Sequence, residues 1–150
     1  MRDAMSTLND DPVALAETLR PALLRVSRRL RQEAQKAGVS ALDALLLTQI
    51  ARSPGVGVCD LADGEQLSRP TMSGHIKRLE AAGWIARADS ATDGRRSGLA
   101  VTPAGQVQLD EIRRRRNDWL AARLARLPVD ARRQLDAAAG PLLQLLSLEA

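Results

Sequence analysis

Four times along this chain a short polar residue able to cap a helix stands just before a run with helical apolar spacing: Asp11, Ser40, Ser68 and Thr102. A cap side chain accepts a hydrogen bond from one of the backbone N–H groups that a first helical turn leaves unpaired, so these residues mark helix starts. In Asp11-Pro12 and Thr102-Pro103 a proline follows at once, and its fixed φ and missing N–H suit the first helical position. Glycines and prolines mark the ends: Gly38, Ser53-Pro54-Gly55 and Gly83. The punctuation predicts helices over about 12–36, 41–52, 58–64, 69–82 and 103–127, and a last one from Pro128 and Asp130 that Gly140-Pro141 should kink.

Between Gly83 and Thr102 the texture changes. Trp84-Ile85-Ala86-Arg87 reads as a strand, Ser90-Ala91-Thr92-Asp93-Gly94 as a turn and Ser97-Gly98-Leu99-Ala100-Val101 as the returning strand. The chain is therefore mainly α with a small β-hairpin, organised as one domain over 1–150. With two Trp and neither Phe nor Tyr, the core must be built from Leu, Ala, Val and Ile. The 45% apolar share suffices for one. Residues 1–11 are polar and acidic and are expected to fray.

The apolar stripes divide the chain further. Leu15, Leu19, Leu23, Val26 and Leu30 share one face of the first helix, with Arg25, Arg28, Arg29 and Arg31 opposite. The second helix, with Leu45-Leu46-Leu47 and Ile50, is apolar nearly all round and should be central. The tail Leu142-Leu143-Gln144-Leu145-Leu146 is too apolar to face water and calls for a partner surface.

Charge is modest, +4 from 22 basic and 18 acidic residues, but unevenly placed. Residues 13–37 carry +4 and 69–96 carry +3, while 38–68 carry −3. That alternation suits one cationic face and equally suits ordinary solvated helices. The run Arg113–Arg116 reads as a solvated or salt-bridged band. The single cysteine, Cys59, excludes an intrachain disulfide and points to a reducing compartment. No apolar run approaches the length of a membrane span, about 18 residues, and no secretory signal pattern opens the chain, so a cytoplasmic location is expected.

The segment that carries function is Leu61-Ala62 followed by Ser68-Arg69-Pro70-Thr71-Met72-Ser73-Gly74-His75-Ile76-Lys77-Arg78-Leu79. A short helix, a tight connection and a capped second helix make a helix–turn–helix. Met72, Ile76 and Leu79 form its inward stripe. Pro70, Ser73, Gly74, Lys77 and Arg78 lie opposite, short at the N-terminal end and cationic beyond it. Short side chains let a helix sink into a major groove, and hydroxyls and cations reach base edges or phosphates. Ser68, Arg69 and Thr71 complete the candidate DNA-binding set on this helix. An ordinary amphipathic helix is the plainer alternative. The hairpin tip adds Asp93-Gly94-Arg95-Arg96: an Arg on an extended tip can enter a minor groove, and an adjacent Asp can orient its guanidinium.

Together these residues resemble the MarR family of bacterial regulators, through the order of elements, the Leu61-Ala62 helix, the Ser68–Gly83 helix, the Asp93-x-Arg95 wing and Leu99–Gly105. The resemblance implies a winged helix–turn–helix with a DNA-binding lobe over about 40–101. It implies dimerisation helices over about 12–36 and 103–148. It further implies a homodimer on a pseudo-palindromic duplex operator, Arg95 in the minor groove steadied by Asp93, and repression relieved by a small aromatic or phenolic acid held between the dimer helices and the lobe.

The chain departs from the family's pattern at Glu65 and His75, where apolar residues are usual, and in lacking Phe and Tyr. The Glu65 turn is expected to be looser or shifted, His75 to be half-buried with a backbone partner, and Trp119 to serve core or dimer packing ahead of lining a pocket. Val58-Cys59-Asp60-Leu61 also looks like the ArsR family of metal sensors, but Gly57 stands where the second thiol would be. One Cys and one His do not make a soft-metal site, so no metal or cofactor is expected. A winged-helix module for protein–protein contact is a further alternative, against which the Arg69, Lys77, Arg78 and Arg95 set argues. No nucleophile–base pair and no Gly-rich phosphate loop suggest an enzyme.

Overall fold

The computed structural model describes residues 11–89 and 97–148. The expected frayed terminus falls almost wholly outside them, and so does the hairpin tip with Asp93, Arg95 and Arg96. Within them the chain runs α1 (Pro12–Lys36), α2 (Ala41–Arg52), α3 (Val58–Gly64), α4 (Arg69–Ala81), β1 (Ile85–Asp89), β2 (Ser97–Val101), α5 (Pro103–Leu124) and α6 (Val129–Gln144).

All four caps work as the local chemistry demands. The Asp11 carboxylate accepts from Val13 N–H at 3.0 Å, Ser40 Oγ from Asp43 N–H at 3.1 Å, Ser68 Oγ from Thr71 N–H at 3.3 Å and Thr102 Oγ1 from Gly105 N–H at 3.1 Å. Two ends differ from expectation. β1 begins at Ile85, because Trp84 belongs to the turn that Gly83 makes with φ +77°. α5 stops at Leu124. α6 continues as one helical segment through Gly140 and Pro141, the pair expected to kink it. A proline removes a single amide donor, and α6 contains no buried residue, so water can serve the freed carbonyl. α1 runs through Pro21 in the same way.

The main core joins α2, α3, α4, the hairpin and the start of α5. Leu46, Leu47 and Ile50 of α2 are fully buried against Met72, Ile76, Leu79, Leu99 and Leu109. α2 is central, as its sequence implied, with one exception: Leu45 is exposed. A second cluster, Ala34, Val39, Ala44 and Ile112, fastens the C-terminal end of α1 to α2 and α5, and Trp84 packs against both clusters. Buried Glu33 sits beside this second cluster. Lys36 hydrogen-bonds it at 2.9 Å and Arg29 lies at 3.3 Å, and the Lys36 bond holds its carboxyl below the usual range against the opposing effect of burial.

β1 and β2 pair antiparallel from Ile85↔Val101 to Asp89↔Ser97. A backbone bridge fixes the hairpin to the loop before α3: Gly55 N–H donates to Leu99 carbonyl at 2.8 Å, and Leu99 N–H to Val56 carbonyl at 2.9 Å. This approach requires Gly98, since a Cβ there would stand 2.4 Å from the Gly55 backbone. Gly105 is tighter still: its Cβ would lie 2.0 Å from the Trp84 carbonyl oxygen.

Among the described residues α6 and most of α1 lie outside both core clusters. Leu15, Leu23 and Val26 of the predicted stripe are exposed, as are Leu135, Leu143, Leu145, Leu146 and Leu148. Among the described residues no helix is long and apolar enough to cross a membrane.

Gly105→Ala should lower stability by about 1–3 kcal/mol, the usual cost of overpacking, because the obstacle is backbone rather than a side-chain end. Urea unfolding at fixed protein concentration reads this; an unchanged midpoint would contradict the packing of α5 on Trp84.

Candidate nucleic-acid interface and adjoining cavity

α4 divides cleanly into two faces. Met72, Ile76 and Leu79 are at most 1% exposed. Arg69, Pro70, Thr71, Gly74, Lys77 and Arg78 are exposed and Ser73 is half-buried. The helix start is a hydroxyl pair, with Ser68 Oγ 2.7 Å from Thr71 Oγ1. Open space surrounds Gly74, so the middle of the exposed face is a shallow depression rather than a ridge. Every predicted residue on this helix therefore lies on or beside one accessible surface. Asp93, Arg95 and Arg96 lie outside the described residues.

The sequence reading missed what holds this face to the rest of the lobe. Arg78 donates through Nη2 to Asp43 Oδ1 at 3.3 Å and to His75 Nδ1 at 2.6 Å, and His75 Nδ1 is 3.4 Å from the same Asp43 oxygen. His75 is half-buried as expected, but its partners are the Arg78 and Asp43 side chains, not backbone. The reason is tertiary: α2 crosses α4 where its own Ser40 cap sets Asp43 in the first turn. Arg78 remains 60% exposed on its side chain, so the contact orients the guanidinium without hiding it. Arg87 of β1 pairs with Glu80 of α4 at 2.9 Å, tying the hairpin to the end of the same helix. Glu65 closes α3 as its C-cap and accepts from Gln49 Nε2 at 2.7 Å. Gln66 beside it takes φ +54°, and the Glu65 bond fastens this turn to α2.

A cavity of about 780 Å³ opens between α1, α2 and α5. Its apolar wall comprises Leu23, Val26 and Leu30 of α1 and Ala41, Leu42 and Leu45 of α2. Each helix adds one cation: Arg31, Arg52 and Arg116. Arg116 is half-buried and donates to the Leu30 carbonyl at 3.2 Å, and burial pulls its pKa below the ordinary arginine value. It stands apart from the rest of the Arg113–Arg116 band, which is salt-bridged as expected. Arg113 meets Asp110 at 3.6 Å, Arg114 meets Glu111 and Asp118 at 2.9 and 3.0 Å, and Arg115 meets Glu111 at 2.7 Å. Trp119 is not part of the cavity wall. It fills the α1–α5 contact, with the Arg123 and Arg29 guanidiniums 4.2 and 5.8 Å from its ring centre, a cation–π geometry. Cys59 is exposed.

The family model described as the MarR family matches residues 37–96. An HTH-type transcriptional regulator of Mycobacterium tuberculosis is 34% identical over 137 residues, which is 91% of this chain and 96% of the relative. Among solved structures, a putative transcriptional regulator from Pseudomonas aeruginosa superimposes with TM-score 0.76 at 30% identity, over 92% of this chain and 96% of its own. A MarR family protein of Mycobacterium tuberculosis in complex with p-aminosalicylic acid superimposes with TM-score 0.62 at 26% identity, over 83% of this chain and 97% of its own.

Two substitutions on α4 test the local reading by unfolding alone. Ser68→Ala should cost about 0.5–2 kcal/mol through the lost cap. Gly74→Ala should add about 0.5–1 kcal/mol, since glycine in a helix interior is penalised and nothing obstructs the methyl. A destabilised Gly74→Ala protein would mean that this face is covered within the chain.

Proposed function

This chain belongs to the MarR family of DNA-binding transcriptional regulators, and we propose that it works as a two-fold dimer setting one α4 from each protomer into a major groove of a pseudo-palindromic duplex. The observation that carries this is the face of α4 turned away from the core: hydroxyls and a glycine at its start, Lys77 and a braced Arg78 further along. Backbone phosphates account for most of such a protein's affinity, and base edges for its selectivity. In this reading Lys77 and Arg69 meet phosphate, while Ser68, Pro70, Thr71, Ser73 and Gly74 approach base edges. The hairpin tip places Arg95 in the adjoining minor groove, steadied by Asp93, with Arg96 beside it. Duplex DNA as the partner makes the cytoplasm the place of action.

The dimer surface is the exposed leucine face of α6 together with the start of α1 around Leu15, while Leu23 and Val26 further along α1 face the cavity. Joining two copies across a two-fold axis buries both sets, and closed symmetry of this kind is the commonest oligomeric solution. Half-sites then lie about one helical turn apart, roughly 10 base pairs.

The α1–α2–α5 cavity is the effector site, and its ligand is a small organic acid that relieves repression. The mycobacterial relative solved with p-aminosalicylic acid supports an acid as ligand. α2 couples the two sites, because Leu42 and Leu45 line the cavity while Asp43 between them grips Arg78. A ligand that prefers a displaced α2 thereby disfavours the DNA-bound arrangement of α4, by no more than its difference in affinity for the two.

Lys77→Ala should leave stability unchanged, weaken binding to the selected duplex and reduce the slope of log affinity against log salt by about one. Arg95→Ala should weaken binding by about 1–3 kcal/mol, as for one good charged contact. Selection from a random duplex pool supplies the site and fluorescence anisotropy over a salt series reads both variants. No enriched sequence, or affinity indifferent to both changes, would overturn the reading.

A further inference from the structure

The cavity has a chemical character that narrows what it can hold. Its lining contains three guanidiniums and no carboxylate. Among the described residues none of Arg31, Arg52 or Arg116 forms a salt bridge, whereas seven other arginines of the chain do. An occupant without negative charge would leave that cationic wall uncompensated. The remaining wall is aliphatic apart from Ser27 and Thr48, the latter's hydroxyl already donating to the Ala44 carbonyl, and neither Trp84 nor Trp119 reaches it. Since the chain has no Phe or Tyr, no aromatic side chain of its own offers a ring the stacked or edge-on partner that aromatic ligands gain from.

The groove is also long. Its α1 wall runs from Leu23 to Arg31 and its α2 wall from Ala41 to Arg52. At the helical rise these are walls of roughly 12 and 16 Å, longer than a single-ring acid and comparable to an extended medium-length acyl chain. The apolar residues of α1 recur at Leu23, Val26 and Leu30, so the greasy surface is continuous along that length rather than confined to one end.

Resting on the assignment of this cavity as the effector site, we infer that its ligand is an aliphatic monocarboxylate of medium chain length, not a phenolic or aromatic acid. The tail lies along Leu23, Leu30, Leu42 and Leu45, and the carboxylate is held by the arginines of the surrounding helices.

The test uses the full-length protein, with decanoate as probe, kept below its aggregation threshold and followed by titration calorimetry and by release of the protein from its selected duplex. Across hexanoate, octanoate and decanoate each added methylene should tighten binding about fourfold, the fold-change expected for burying one CH₂. Salicylate should bind more weakly than decanoate. Decyltrimethylammonium, with the same tail and the opposite charge, should not bind. Arg52→Gln should weaken decanoate at least fivefold. Arg116→Gln should do so too, but it also removes the bond to Leu30, so the exposed Arg52 gives the cleaner reading.

Salicylate binding more tightly than decanoate, with release of DNA, would overturn the aliphatic class and leave the effector site standing. Decanoate binding with the expected chain-length and arginine dependence but without release would uphold the ligand class and overturn the effector role. Equal binding of the cationic surfactant, or no binding of any probe because a second copy of the chain fills the groove, would overturn both.

Discussion

Burial of Leu46, Leu47 and Ile50 is the contact on which the rest of this molecule depends. Those three side chains put α2 in the middle of the lobe, where α4, the hairpin and α5 all pack on it or around it. A helix buried on this scale does not slide alone, since core side chains sit close-packed, so any displacement of α2 carries what packs on it. The faces of α2 that remain accessible consequently point in fixed directions. One turn of it offers Asp43 to α4 while Leu42 and Leu45 form a wall of the cavity. The same packing that stabilises the lobe thus ties the proposed DNA face of α4 and the proposed effector site to one helix.

The polar contacts around that core do a different job. Arg78 is 60% exposed, so its bond to Asp43 is worth no more than about 1 kcal/mol. Its consequence is geometric: a long side chain that would otherwise sample many rotamers is held beside His75 at the edge of the exposed α4 face. Arg87 and Glu80 act likewise between the hairpin and the end of α4. The close approaches at Gly98 and Gly105 work through exclusion, because each brings backbone so near that no side chain fits. Together these fix the base of the hairpin relative to α4, and through it the direction in which the hairpin leaves the lobe.

The outer helices present the opposite situation. α6 contributes nothing to the core, and most of α1 lies with its leucines facing solvent. Contiguous apolar surface of this extent marks an interaction site. The proposed dimer covers it while leaving the α4 face free, and the second copy supplies the second recognition helix that a two-fold operator requires. The cavity lies where this peripheral layer meets the lobe, lined by α1 and α5 on one side and α2 on the other. An occupant there touches both the element proposed to hold the dimer together and the one that braces the proposed DNA face.

What the sequence determined by itself is whatever depends on residues within a turn or two of each other. Asp11, Ser40, Ser68 and Thr102 announce helix starts because a cap needs only the next few N–H groups, and Met72, Ile76 and Leu79 announce an inward face because helical periodicity is a local property. The resemblance carried by the order of elements, the α3–α4 segment, the Asp93-x-Arg95 wing and Leu99–Gly105 supplied the family. Tertiary structure alone decided the rest. Asp43 and Arg78 stand 35 positions apart, and nothing near either one signals the other. His75 looked like a residue with a backbone partner, but its ring meets the Arg78 side chain one turn along α4 and, only through the packing of α2, Asp43. Trp119 was expected to serve packing, but that its ring would lie under Arg29 of α1 depended on the α1–α5 contact. Arg31, Arg52 and Arg116 share a cavity because three separate helices each contribute one of them. Such meetings are set by how the core packs as a whole, and pairwise spacing along the chain holds no record of them.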